Sequence, residues 1–321
     1  MKVFVTGVAG FIGSHAAQAL LSLGHEVLGV DNLNDYYDPS LKRARLARLD
    51  DHAGFRFVEQ DIASPDAIAK LVEDFRPDRI LHLAAQAGVR YSLENPMAYV
   101  QSNLVGHVSI LEAARHCDSV KHLVYASSSS VYGERDDAPF GEDDPVNAPV
   151  SLYAATKRAD ELMSATYSHL YGLAQTGLRF FTVYGPWGRP DMAYWTFTEA
   201  ILKGAPIRLF NEGKMERDFT FIDDVVETVM RIVADVPDAS AHRVYNIGGS
   251  DPRPLSQFIA ALEQACGQKA HTELAPMQAG DVTRTAADVT RIKRDYGYAP
   301  STRIEDGLGR FVTWYRDYFG V

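Results

Sequence analysis

Met1-Lys2-Val3-Phe4-Val5-Thr6-Gly7-Val8-Ala9-Gly10-Phe11-Ile12-Gly13, continued to Gly29-Val30-Asp31, is the stretch that decides the fold. Residues 2–6 are short, apolar and β-branched and stop at Gly7, the pattern of a strand buried in a parallel sheet. Gly7, Gly10 and Gly13 follow at intervals of three, and apolar residues from Phe11 to Leu23 recur at helical spacing, so a helix begins inside the glycine turn. The free N–H groups and dipole at such a helix start favour an anion, and glycines admit a pyrophosphate where a Cβ would block it. Residues 26–30 form a second predicted strand. It ends at Asp31, about 18 residues beyond Gly13 and near the roughly 20 at which a carboxylate bonds an adenosine ribose. That acid favours NAD, because it repels the 2′-phosphate of NADP.

The alternation continues outward. Residues 55–60, 78–85 and 123–126 are predicted strands, with helices starting at Ser64-Pro65 and spanning 96–116. Strand and helix in turn specify an α/β fold, a Rossmann-type doubly wound parallel sheet. Its third strand ends at Asp61-Ile62, where such folds contact adenine, and the small Ala84-Ala85 let a cofactor lie flat against the fourth. Residues 32–51 are either a solvated insertion or a flap over the adenosine end. A polar loop over 86–95 carries Arg90, and Asn103 lies on the helix beyond it. A further strand over 175–181 leads into Thr182, after which short elements interleave without a repeat. The expected division is a NAD-binding domain of 1–182 plus about 216–250, and a smaller discontinuous α/β substrate domain of about 183–215 plus 251–321.

Composition narrows the function. The chain has 321 residues, 46% of them hydrophobic, enough for a full core. A formal net charge of −10 without a dense Lys/Arg block argues against nucleic acid or an anionic membrane as partner. Cys117 and Cys266 lie far apart with no metal-ligand spacing, so buried reduced thiols and no metal are expected. The chain begins on a core strand, and no apolar run approaches about 18 residues, so a cytoplasmic location is expected.

Tyr153 and Lys157 stand four apart on a predicted helix beginning near Ser151, so they share a face. A tyrosine, with an ordinary pKa near 10, is a poor base at neutral pH; a neighbouring ammonium and the positive nicotinamide ring stabilise its phenolate. Ser128, at the end of the fifth strand, is placed to bond the same substrate oxygen. Such a tyrosine and lysine are common on exposed helices, and the serine cluster and dinucleotide turn before them give this pair its meaning.

Together these features resemble the extended short-chain dehydrogenase/reductases that act on nucleotide sugars, over essentially the whole chain, and G-x-x-G-x-x-G is that superfamily's spacing. The resemblance implies Tyr153 as acid/base, Lys157 as the residue that orients it and bonds the nicotinamide ribose, and Ser128 as the assisting hydroxyl. It implies tightly bound NAD, regenerated in each turnover, touched by Gly7, Gly10, Phe11, Ile12, Gly13, Asp31, Asn32, Asp61, Ile62, Leu83, Ala84, Ala85 and Asn103 as well as by Tyr153 and Lys157. Dehydratases of this family carry Thr-Asp-Glu before Val-Tyr-Gly, and the UDP-glucuronate decarboxylases Thr-Ser-Glu. Here Ser128-Ser129-Ser130 stands in that place, and the missing carboxylate favours epimerisation at C4.

The run Arg179-Phe180-Phe181-Thr182-Val183-Tyr184-Gly185-Pro186-Trp187-Gly188-Arg189-Pro190-Asp191-Met192-Ala193 looks like that of the UDP-glucuronate 4-epimerases. An arginine forks onto a carboxylate in a way that a hydroxymethyl group does not require. Arg189 with the hydroxyls of Ser129, Ser130 and Thr182 is therefore the candidate pocket for the sugar carboxylate; the alternative is a solvated loop arginine. For the UDP end, Arg217 matches the family arginine at the diphosphate and Asp281 the acid at the uridine ribose. Gln278 replaces a second arginine, which leaves Arg90 and Arg284 as candidates for the other diphosphate cation. The implied activity is NAD-dependent interconversion of UDP-glucuronate and UDP-galacturonate through a transient 4-keto sugar, in a homodimer built on helices 96–116 and 151–171. Its rivals are a UDP-glucuronate decarboxylase, a UDP-glucose 4-epimerase, and a catalytically idle NAD-binding sensor or scaffold.

Overall fold

The opening stretch folds as β1 (Lys2–Thr6), α1 (Phe11–Ser22) and β2 (Glu26–Asp31), in a computed structural model that describes residues 1–135, 137–277 and 282–321. Next come α2 (Pro39–Ala47), β3 (Phe55–Glu59), α3 (Pro65–Phe75) and β4 (Arg79–His82). Asp38 starts α2 by accepting the Ser40 N–H at 2.8 Å, and Leu41, Leu46 and Leu49 bury its apolar side. Pro65 opens α3 as expected, although the Ser64 hydroxyl makes no capping bond.

The helix expected over 96–116 is interrupted. After the short α4 (Tyr91–Glu94) come α5 (Pro96–Tyr99), a π-helical turn (Val100–Val105) and α6 (Gly106–Arg115). Such turns insert one residue into the helical register, often at functional sites. This one carries Asn103, which is 1% exposed. Then β5 (His122–Ser128) leads to α7 (Leu152–Tyr171) and β6 (Gln175–Phe180). The Ser151 hydroxyl accepts the Ala154 N–H at 3.1 Å to start α7, and Gly172 in the left-handed region ends it.

The remaining elements are β7 (Thr182–Tyr184), α8 (Ala193–Leu202), β8 (Pro206–Leu209), β9 (Glu216–Phe221), α9 (Ile222–Ala234), β10 (His242–Ile247), β11 (Pro252–Pro254), α10 (Leu255–Cys266), β12 (His271–Leu274), α11 (Thr290–Tyr296) and α12 (Ile304–Phe319). One seven-stranded sheet runs β10-β6-β5-β4-β1-β2-β3, and every pairing from β3 across to β5 is parallel. The chain winds outward from β1 to β3 and returns to β4 on the other side of β1. In such sheets, ligands bind outside the strand ends where the winding reverses. Phe4, Leu28, Ile80 and Leu123, all fully buried, form part of its core, so this sheet has no solvent face at its centre.

Residues 1–131, 146–179 and 226–245 make one compact unit, and 132–145, 180–225 and 246–321 a second. Residues 132–145, 180–182 and 216–225 were expected with the first and group instead with the second; for 216–225 the reason is that β9 pairs with β7 and β11. Within the second unit β8 and β12 form a separate parallel pair. Both cysteines are buried and free, and burial pushes the Cys266 thiol up to about 11. Among the described residues no helix is long and apolar enough to cross a membrane.

Candidate active site

At the reversal between β1 and β4 the glycine turn closes on itself. Gly7 has φ +71°, and a Cβ there would lie 2.7 Å from the Ala84 nitrogen. A Cβ on Gly13 would lie 2.0 Å from the Gly7 carbonyl oxygen, so turn and helix pack backbone to backbone. α1 begins after Gly10 with no side-chain cap, leaving the first N–H groups, of Phe11, Ile12 and Gly13, to an outside anion. That cradle fits the pyrophosphate of a dinucleotide such as NAD.

Asp31 is 9% exposed at the end of β2; its carboxylate accepts the N–H groups of Ala9 at 3.2 Å and Leu33 at 2.9 Å. Burial raises its pKa, opposed by the Lys42 ammonium, those two bonds and Arg45. Both cations come from α2 and were missed in the sequence, because their spacing is that of any solvated helix. Lys42 bonds the backbone and side-chain oxygens of Asn34 at 2.8 and 2.7 Å, and Arg45 bonds the Ala9 carbonyl at 3.0 Å and the Tyr37 hydroxyl at 2.6 Å. The segment 32–51 therefore braces the Asp31 turn.

Asn32 donates to Asp61 at 2.9 Å, joining two of the expected adenosine contacts, while Ile62 commits its side chain to the core. Leu83, Ala84 and Ala85 are half-buried beyond β4, and the Ala84 N–H is held by the Thr6 hydroxyl at 3.1 Å. Asn103 bonds protein rather than standing open to a cofactor. Its carbonyl accepts the Gln86 N–H at 2.8 Å, and its amide donates to the Gln86 carbonyl at 3.1 Å and to the Thr156 hydroxyl at 2.9 Å. It ties the loop after β4 to α7, next to Lys157.

Tyr153 and Lys157 occupy the first two turns of α7. The Tyr153 ring meets Tyr99 edge-on, centroids 5.9 Å apart. Lys157 is 3% exposed and donates to the Ala126 carbonyl at 2.9 Å and to Asp160 at 3.1 Å. At the end of β5 the buried Ser128 hydroxyl donates to that of Ser130 at 3.1 Å and accepts the Ser130 N–H at 3.2 Å, with Ser129 and Ser130 half-buried beside it. Arg90 is exposed at the start of α4.

In the second unit Thr182 opens β7, half-buried. The Arg189 fork, expected to be open for a sugar carboxylate, is paired with Asp191: Nε donates to Oδ1 at 3.0 Å, and the terminal nitrogen to Oδ2. Arg217 bonds the Glu216 and Thr283 carbonyls at 2.9 and 3.2 Å, and Arg284 pairs with the Glu216 carboxylate at 3.0 Å, beside a cleft lined by Met215, Pro254 and Thr283. Asp281 and Gln278 lie outside the described residues. Between Arg217 and Phe219, the fully buried Asp218 accepts the N–H groups of Gly249, Ser250 and Ala287, the last two at 3.1 and 2.8 Å. Burial lifts its carboxyl to about 6 against those bonds.

Residues 3–248 match the family model described as the NAD dependent epimerase/dehydratase family. The chain is 46% identical to a probable UDP-glucuronate 4-epimerase of Rhizobium meliloti, covering 98% of this chain and 97% of that one. It is also 46% identical to a UDP-glucuronate 4-epimerase of Arabidopsis thaliana, covering 99% of this chain and 76% of the plant protein. A crystal structure of a UDP-glucuronic acid 4-epimerase from Bacillus cereus, in complex with UDP-glucuronic acid and NAD, matches with a TM-score of 0.93 at 33% identity, over 99% of this chain and 100% of that one. A glycine cradle at the sheet's reversal, a buried acid at the end of β2 and a tyrosine–lysine helix thus coincide with a match across most of the sequence, and the chain belongs to the NAD-dependent epimerase/dehydratase family.

Proposed function

We propose that this chain interconverts UDP-glucuronate and UDP-galacturonate by oxidation and re-reduction at C4. NAD, when bound, supplies the hydride acceptor and donor. Tyr153 takes the proton of the 4-hydroxyl and gives it back after the 4-keto sugar has turned about its diphosphate linkage, presenting its other face. Lys157, anchored by Ala126 and Asp160, keeps a positive charge near the phenolic oxygen and a donor for the ribose. The Ser128 hydroxyl bonds the same sugar oxygen. The observation that carries the reading is that Ser128, Ser129 and Ser130 present hydroxyls and no carboxylate, so nothing there removes a C5 proton.

The 4-keto acid is a β-keto acid prone to lose CO₂, so holding its carboxylate still is part of the task. Arg189, Thr182, Ser129 and Ser130 take that role, Arg217 with Arg284 or Arg90 meets the diphosphate, and Asp281 meets the uridine ribose. Identity of 46% to two proteins named as UDP-glucuronate 4-epimerases supports this choice over the glucose substrate. Incubating the pure protein with UDP-glucuronate and resolving the products tests it: UDP-galacturonate is expected, and UDP-pentose as the main product overturns it.

The working form we propose is a cytoplasmic homodimer. Leu162, Leu170 and Tyr171 on α7, with Met97 on α5, are exposed apolar residues on the helical segments expected to pair. Light scattering that returns a single 35.5 kDa subunit at micromolar concentration contradicts the dimer.

A further inference from the structure

Lys157 has a buried partner that its expected role does not require. The Asp160 carboxylate is one turn further along α7 and 1% exposed; Oδ2 accepts from the Lys157 ammonium at 3.1 Å, and Oδ1 is buried with no hydrogen-bond partner among the described residues. A buried carboxylate oxygen without a partner is costly to keep charged. Two of the three ammonium donors go to Asp160 and the Ala126 carbonyl, so the third is what remains for a ribose or the phenolic oxygen.

We propose that Asp160 is a positioning residue for the reaction: through its contact with Lys157 it fixes where the ammonium sits and how much positive charge Lys157 presents to Tyr153. The inference rests on the reading of Tyr153 and Lys157 as the acid/base pair. With the carboxylate charged, the pair is nearly neutral as seen from Tyr153. With it protonated, the ammonium acts uncompensated.

The surroundings make Asp160 the group that changes. Facing it are Lys157 and Glu161 on α7, Tyr125 on β5, and His107 on α6, whose ring bonds the Asp160 carbonyl. Behind them stand His82 of β4, Arg179 of β6 and His242 of β10. Glu161 is held charged by Arg179 at 2.8 and 3.0 Å and by the Ser127 hydroxyl at 2.7 Å, which outweigh its burial and lower its pKa. Burial lowers the pKa of all three histidines and raises that of Tyr125 well above 10, so these keep one charge state through the neutral range. Burial lifts the Asp160 carboxyl to about 7, against the pull of Lys157.

The test is Asp160→Asn, which keeps the size and an oxygen for Lys157 but removes the charge. NAD content is expected to stay as in the parent, and the acid limbs of the two kcat/KM profiles are expected to coincide below about 7, where the parent carboxyl is itself protonated, and to part above it, where the variant gains up to about tenfold at fixed pH. A variant that merely melts earlier with the parental limb overturns the proposal. Should the variant not fold, the parent grown with carboxyl-¹³C aspartate is read by infrared spectroscopy. An aspartate band titrating near 7 that is absent from Asp160→Glu is expected, and its persistence in that variant, or no aspartate titrating above about 6.5, overturns the proposal. Tyr153→Phe tests the underlying reading separately: if it stays active, the acid/base assignment fails whatever Asp160 does.

Discussion

Arg189 is already paired, so a substrate carboxylate must replace Asp191 to engage it. Both side chains of that pair are about a quarter exposed, 25% and 26%, and an ion pair so open to water contributes about 0.2–1 kcal/mol. A charged hydrogen bond to a bound sugar carboxylate contributes about 1.5–3 kcal/mol. The exchange therefore runs downhill, with Asp191 as a weak competitor. Asp191→Asn is expected to lower KM for UDP-glucuronate by up to about fivefold, the equivalent of 1 kcal/mol. Arg189→Ala is expected to lose about ten- to a hundredfold in kcat/KM on the same sugar. UDP-glucose has no carboxylate, so slow turnover of it should change little in either variant. The assay is kcat/KM on both sugars, with product analysis for the pentose that a loosely held carboxylate would release. Equal changes on both sugars refute the reasoning, because Arg189 then supports the diphosphate or its own loop. A higher KM for UDP-glucuronate in Asp191→Asn shows that Asp191 aims the arginine rather than competing for it.

Tyr153→Phe should retain NAD and lose about 10²–10⁴ in turnover, the usual contribution of a positioned acid/base group; turnover within about tenfold of the parent removes Tyr153 from that role. Gly13→Ala places a methyl 2.0 Å from the Gly7 carbonyl oxygen, so the turn must open. Overpacking of this kind costs about 1–3 kcal/mol, and NAD affinity measured by calorimetry should fall by at least about fivefold. Burial holds the pKa of His82 down at about 3 against an ordinary 6.5, so the unfolded chain takes up a proton that the folded one refuses. Its contribution is therefore present above 6.5 and lost as pH falls toward 3. Replacing it by Asn should leave a deficit in melting temperature that narrows on acidification through that window, and a constant deficit would show that His82 matters only for packing.

The cofactor half of the fold was legible because its signals are local. Gly10 and Gly13 must be glycine for contacts with Gly7 and Val8, Gly7 itself sits in the left-handed region, and Asp31 ends the very next strand. Where partners come from distant loops, the sequence gives no spacing to read. The carboxylate of Asp218 meets N–H groups of Gly249 and Ala287, and β9 finds its neighbours in β7 and β11. The π turn at 100–105 escaped because one inserted residue barely disturbs an apolar stripe over two turns. Lys42 and Arg45 escaped for the opposite reason: cations at helical spacing usually mean solvent, and only the folded chain turns them toward Asn34 and Ala9.

What can move in the Arg189 loop follows from how its backbone is held. Trp187 adopts φ 62°, a strained value for a large side chain, and its ring packs against Trp314 and Tyr318 of α12 with centroids 5.1 and 5.3 Å away. Tyr194 on α8 then accepts the Arg189 N–H on its hydroxyl at 2.9 Å. Two aromatic contacts and one hydrogen bond thus hold the chain on both sides of the arginine, while the guanidinium pairs with a partly exposed carboxylate two residues away. Exchange of partner needs side-chain torsions alone, which turn over in nanoseconds where loop rearrangement takes far longer. Selection of a carboxylated sugar at Arg189 is for that reason expected to show in KM and in product purity, with no lag on mixing. A slow phase in substrate binding that disappears in Trp187→Ala would mean instead that the loop itself must shift.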